Sequence, residues 1–176
     1  MTAAATLRLI RESPFPTAEC SNCGARMALG AEGTTWTIRS PRDVADRLIL
    51  QLGGLEREEL LVLLLSTKNM VVGQVTVYRG NVSSSLVRTG ELFTEAVRRG
   101  VARVILVHNH PSGDPTPSPD DLNVTASAIA AGRLLDIEVL DHVIVGGTTF
   151  VSLRDHGSAF DASVPGRHAS SSVTGR

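Results

Sequence analysis

Aromatic rings are scarce in this chain. They make up 3% of its 176 residues, and Trp36 and Tyr78 are the only rings besides four phenylalanines. A stacking platform for unpaired bases needs several exposed rings, so that class of nucleic-acid binder is not expected. An excess of charge is lacking too. Lys and Arg number 17 against 18 Asp and Glu, a formal net charge of −1. That balance leaves no electrostatic footprint for a phosphate backbone or an anionic membrane. No apolar run approaches the roughly 20 residues of a membrane-spanning helix. The N-terminal stretch MTAAATLRLIRESPFP lacks the apolar core of a secretory signal, which makes the cytoplasm the expected compartment. Two cysteines, Cys20 and Cys23, are too few for a disulfide framework. Their CxxC spacing is half of a zinc ribbon or a redox pair, with no second CxxC and no neighbouring His to complete a site. The glycines at 30, 33, 53 and 54 form no phosphate-cradling pattern, and there is no internal repeat.

What the chain does contain is enough apolar material for a core, 42% hydrophobic against 20% charged. Residues 1–36 show no sustained period and many turn residues, so a poorly structured arm is expected there. From Thr37 the pattern is regular. Ser40-Pro41-Arg42-Asp43 has an N-cap, a proline at N1 and an acid at N3, starting a helix that buries Val44, Leu48 and Leu52 and stops at Gly53-Gly54. LLVLLLS (60–66) reads as a strand buried on both faces, and MVVGQVTVYRG (70–80) as its partner. ELFTEAVRRG (91–100) reads as an amphipathic helix with Leu92, Ala96 and Val97 inward and Gly100 as its αL cap. VARVILV (101–107) is a further buried strand. Ser118-Pro119-Asp120-Asp121 repeats the cap pattern and starts a helix to about Leu135, with Leu122, Ala126, Ile129 and Leu134 on its face. IEVLDHVIVG (137–146) and TTFVSL (148–153) read as two last strands, and 158–176 as a disordered Ser/Gly-rich tail. Helices alternate and mix with strands, which predicts one mixed α/β domain over 37–157.

The chemistry concentrates in ILVHNHPSGDPTPSPDDL (105–122). His108 and His110 stand at i and i+2 where the apolar run ends, and on an extended chain that spacing points both rings to one face. Two such rings can reach one metal, about 2.0–2.1 Å from each nitrogen. A third ligand is wanted. Asp121 lies in the first turn of the following helix, and the turn-dense PSGDPTPSP would bring that turn back beside the strand end. Taken singly, each residue has a plainer reading. A lone His at a strand end is a surface group, Ser118 is an N-cap, and Asp121 is a capping-box acid. Asp114, in a Gly-Asp-Pro turn, reads as a loop brace. His142 reads as a satisfied buried histidine, while His156 and His168 lie near or in the tail.

Together these residues resemble a known motif. His-x-His, seven residues, Ser, two residues, Asp is the pattern of the JAMM (MPN-plus) metalloproteases. The wording VHNHPSGDPTPS, with STKN (66–69) before it and DHVIVG (141–146) after it, resembles the bacterial RadC family over 37–157. That resemblance implies a JAMM/MPN (cytidine deaminase-like) fold, a mixed β-sheet flanked by helices. It implies zinc (Zn2+) held by His108, His110 and Asp121, with a water as fourth ligand. It also implies an upstream glutamate that serves this water, and Ser118 donating to an oxyanion. Glu56, Glu58 and Glu59 are available, and periodicity leaves Glu58 and Glu59 open because the following run is apolar at every position. The family's glutamate stands eight residues before Ser66, which implies Glu58, with Glu59 next. His142 would then be a pocket wall or support a ligand. The implied activity is hydrolysis of an amide bond in a peptide or isopeptide. The alternative is an accessory protein of DNA repair, recombination or mobile elements with a structural or vestigial zinc. The longer pattern of the family carries a helix-hairpin-helix segment before the domain. About 36 residues precede it here without such a pair, so direct DNA binding is not expected. Oligomeric state has no signature in the sequence.

Overall fold

The structure, a computed structural model, describes residues 36–80, 87–157 and 160, with the backbone of three short strands before them. These are β1 (Leu7–Ile10), β2 (Thr17–Cys20) and β3 (Arg26–Ala28), paired antiparallel in that order. Residues expected to form a poorly structured arm therefore include a small sheet. Strands of four, four and three residues are too short to register as a period. Cys20 lies on β2. Cys23, His168, the loop at 81–86 and the tail, apart from Phe160, fall outside the described residues.

The main domain follows the expected order. Helix α1 (Pro41–Leu52) opens on the foreseen cap: Asp43 Oδ2 accepts the main-chain N–H groups of Arg39 and Ser40, 2.8 Å each. Then come β4 (Glu58–Leu65), β5 (Val71–Gly80), α2 (Thr89–Arg99), β6 (Arg103–His110), α3 (Pro119–Leu134), β7 (Glu138–Gly146), β8 (Thr149–Ser152) and a single turn, α4 (Leu153–His156). The sheet order is β5-β4-β6-β7-β8. Only β6 and β7 run parallel, as the α3 crossover between them requires; the other pairs are antiparallel.

Both faces of this sheet are covered, so its strands are apolar at nearly every position. One face puts Leu60, Val62, Leu64, Val104 and Leu106 against α2 and α3. The other puts Leu61, Leu63, Leu65, Ile105, Val107, Val143 and Val145 against α1. The β6–β7 ladder holds one irregularity. Val104 pairs with Val139 but Ile105 pairs with Asp141, which leaves Leu140 as an extra residue in β7.

Three expectations are corrected. The strand read as 101–107 does not stop before the histidines: β6 continues to His110, paired with β7 along that whole length. On α2, Val97 is 57% exposed, while Phe93 is buried with Leu92 and Ala96. Phe93 packs into the core with Leu60, Leu106 and Ala128. On α3 the inward face is Asp121, Val124, Thr125, Ala128, Ile129 and Gly132, whereas Ala126 and Leu134 are exposed and Leu122 is half-buried. An apolar stripe was the wrong guide, because two polar residues of this helix face the histidines.

Candidate metal centre

The end of β6 carries His108 and His110 toward α3, on the face already occupied by Leu106. Asp121, in the first turn of α3, meets them there. His108 Nε2 stands 2.9 Å from His110 Nε2 and 3.1 Å from Asp121 Oδ1, and His110 Nε2 stands 3.4 Å from Asp121 Oδ2. Ligands about 2.1 Å from one tetrahedral ion stand about 3.4 Å apart, so the three groups are spaced to share a metal. His108, His110 and Asp121 are the one such His/Cys/Asp/Glu group among the described residues.

The donor chemistry fits a cation. His110 Nδ1 lies 2.7 Å from the main-chain carbonyl of Asp114. A carbonyl only accepts, so Nδ1 carries the proton and the Nε2 of neutral His110 presents a lone pair to the site. The Asp121 carboxylate adds only acceptors. One shared proton satisfies such a cluster in part, whereas a metal ion satisfies every lone pair. Electrostatics agree. Burial pushes the Asp121 carboxyl up, but the His108 and His110 rings, whenever their Nε2 atoms carry a proton, outweigh it and hold the group far below the usual carboxylate range. The Asp121 hydrogen bond raises His110; burial opposes it, and the Asp114 carbonyl and the charges of Asp121 and Glu58 reinforce it.

Asp121 is at once a helix cap and a member of the candidate metal group. Its Oδ2 accepts the Ser118 main-chain N–H at 2.7 Å and the Ser118 hydroxyl at 2.6 Å, while the Asp121 N–H returns to Ser118 Oγ at 3.2 Å. Its Oδ1 is left to face His108. The Ser118 hydroxyl proton is thus given to the Asp121 carboxylate. The return loop is braced by Asp114, whose Oδ1 accepts from the Thr116 N–H at 2.9 Å and hydroxyl at 2.6 Å. Those two bonds hold the Asp114 carboxyl below its ordinary range.

The two glutamates part company at the start of β4. Leu60 pairs with His108, so Glu58, two residues back, lies on the histidine face next to His110. Glu59 points to the opposite side and ion-pairs with Arg79 of β5 at 3.0 Å. Glu58 lines an open cleft with Glu56, Arg57, Gly80 and Pro111. Asn109, between the histidines, explains how this end of β4 is held. Its Oδ1 accepts the Glu59 N–H at 2.8 Å and its Nδ2 donates to the Arg57 carbonyl at 3.1 Å, a side chain gripping main chain on either side of Glu58.

Other motif residues do not reach the centre. STKN (66–69) is a turn at the far end of β4. Ser66 Oγ accepts from the Met70 N–H at 3.2 Å, Asn69 adopts φ 57, and Arg103 donates to Asn69 Oδ1 at 2.9 Å. His142 does reach it. Fully buried, it contacts His108 Nδ1 through Nε2 at 2.8 Å and Thr125 Oγ1 through Nδ1 at 2.7 Å. Thr125 is the residue that sequence reasoning missed; its i+4 spacing from Asp121 on a helix was the available signal.

Comparison with known proteins agrees with this geometry. Residues 38–158 match the RadC-like JAB domain family. A UPF0758 protein of Chloroflexus aurantiacus is 51% identical over 138 residues, 78% of this chain and 60% of that protein. Its counterpart in Desulforamulus reducens is 47% identical over 134 residues, 76% of this chain and 59% of the relative. A Bacillus cereus relative is 43% identical over 134 residues, 76% and 60% respectively. The chain thus spans about three-fifths of the length of the curated relatives it matches. With the family pattern covering nearly all of 37–157 and its His-x-His, Ser and Asp converging in space, the chain belongs to the RadC family of JAB-domain proteins.

Proposed function

We propose that this domain is a zinc-dependent hydrolase of JAMM type, acting on an amide bond of a peptide or isopeptide. The observation that carries the reading is the convergence of His108 Nε2, His110 Nε2 and Asp121 Oδ1, two nitrogens and one oxygen as in catalytic zinc sites. Zinc in such a site supplies a Lewis acid that brings the pKa of a water to about 7. The remaining work belongs to the chain. Glu58, beside His110 on the same face, accepts the proton of the attacking water and returns it to the leaving nitrogen. Ser118 turns its hydroxyl from Asp121 toward the reacting carbonyl oxygen, a contribution of about 3 kcal/mol for a well-placed donor. Peptide enters along the cleft lined by Arg57, Glu58, Gly80 and Pro111.

The test begins with metal content. The purified protein is expected to hold one zinc, and His108→Ala none. On a panel of peptide and isopeptide-linked substrates, Glu58→Gln keeps the zinc and loses about 100- to 10,000-fold in turnover, while Glu59→Gln keeps both. Turnover that survives in Glu58→Gln and disappears in Glu59→Gln would reverse the assignment. Zinc bound without cleavage of any amide substrate would remove the hydrolase reading and leave an accessory role in DNA repair or recombination.

A further inference from the structure

Each His108 nitrogen has a neighbour, and only one proton arrangement leaves Nε2 bare for a metal. The contact between His108 Nδ1 and His142 Nε2 is 2.8 Å, and either nitrogen can be its donor. Thr125 decides between them. Its Oγ1 lies 2.6 Å from the main-chain carbonyl of Asp121 and 2.7 Å from His142 Nδ1. A hydroxyl has one proton, and a carbonyl can only accept. The Thr125 proton therefore goes to the Asp121 carbonyl, and His142 Nδ1–H must donate to Thr125 Oγ1. Neutral His142 then has an unprotonated Nε2, which accepts from His108 Nδ1–H. His108 Nε2 is left with its lone pair toward the site. His142 is fully buried between the His108 ring and a neutral hydroxyl, surroundings that suit an uncharged ring.

A backbone feature serves the same arrangement. The extra residue Leu140 in β7 shifts the register so that His142 pairs with Leu106 and shares its face. Without that bulge His142 would align with Val107 and point toward α1. A bulge in a parallel pair is rare, and bulges tend to re-aim a side chain.

We propose that Thr125 and His142 are positioning residues for the metal centre, a neutral relay that holds His108 in its Nδ1–H tautomer. The relay also closes on itself. It starts at the main-chain carbonyl of one ligand, Asp121, and ends on the ring of another, His108, so the α3 ligand and the β6 ligand are held by one chain of hydrogen bonds. Ligating histidines are usually backed by a carboxylate, a main-chain carbonyl or water. Here a neutral imidazole and a hydroxyl intervene, and no negative charge is added. The proposal rests on the metal-binding reading of His108, His110 and Asp121, and it needs neither Glu58 nor turnover.

The experiment has two readouts. In metal-free wild type, nitrogen-15 NMR of the histidine rings is expected to show both His108 and His142 as neutral Nδ1–H tautomers. In zinc titrations, Thr125→Val, which keeps the shape and removes the hydroxyl, binds about 10- to 100-fold more weakly than wild type, and Thr125→Ser restores wild-type affinity. An Nε2–H tautomer at His108 in the wild type overturns the relay. So does equal zinc affinity in Thr125→Val and wild type. If the wild type binds no zinc at all, the metal reading fails, while the tautomers still decide for or against the relay.

Discussion

At the residue scale, Asp121 shows how one carboxylate carries two functions. Oδ2 belongs to the helix cap and Oδ1 to the cluster, so neither role excludes the other. His110 shows the competition between proton and metal. Its Asp121 bond raises its proton affinity above the ordinary value of 6.5. In the metal-free protein this proton stabilises the fold fully below pH 6.5, and the contribution is lost as pH rises through the raised value. Metal needs the same Nε2 lone pair, so binding must expel the proton within that window. Zinc affinity is therefore expected to climb with pH until the raised value is passed and to level off above it. Calorimetry in buffers of different ionisation heat should record proton release at pH 6.5 that fades above the raised pKa. Binding without proton release at pH 6.5 would contradict this picture.

At the scale of elements, the site depends on how closely the loop after β6 lies against the end of β7. A Cβ built on Gly146 would stand 2.6 Å from the Gly113 carbonyl oxygen and 2.6 Å from the Pro115 nitrogen. Both are main-chain atoms, so no side chain can swing aside. Gly146→Ala should push the loop away and draw the Asp114 carbonyl off His110 Nδ1. The expected result is a loss of about 1–3 kcal/mol in urea unfolding and about 10- to 100-fold in zinc affinity. Unchanged zinc affinity in a folded Gly146→Ala protein would show that the loop's position does not govern His110.

At the scale of the whole molecule, the centre adds a polar junction to β6 and α3, which the core already packs together. β6 and α3 converge at their polar ends, where lone pairs face one another instead of methyl groups. Metal should therefore stabilise the native state by mass action, about 2.7 kcal/mol when free zinc is 100 times its dissociation constant. Thermal unfolding is expected to shift upward with zinc and downward with a chelator, and His108→Ala should remove both responses. A midpoint insensitive to zinc and chelator in the wild type would argue against a metal in this cluster. No helix among the described residues is long and apolar enough to cross a membrane.

Much of this was legible from local pattern alone. The continuous apolar runs at 60–65 and 104–107 specify strands covered on both faces, and Ser-Pro-x-Asp specifies where α1 and α3 begin. The spacing of His108, His110, Ser118 and Asp121 marks the residues that the fold brings together, because a strand period and a helix cap are both short-range rules. What no local rule could supply is the orientation of one element against another. Alternation put Glu58 and Glu59 on opposite faces without saying which face holds the histidines, and only the pairing of β4 with β6 decided it. The inward face of α3 was misread because its polar residues, Asp121 and Thr125, found partners on β6 and β7. The relay through His142 depends on a one-residue bulge opposite another strand. Such choices follow from contacts between distant segments, and those contacts exist only once the sheet has closed and α3 has crossed it.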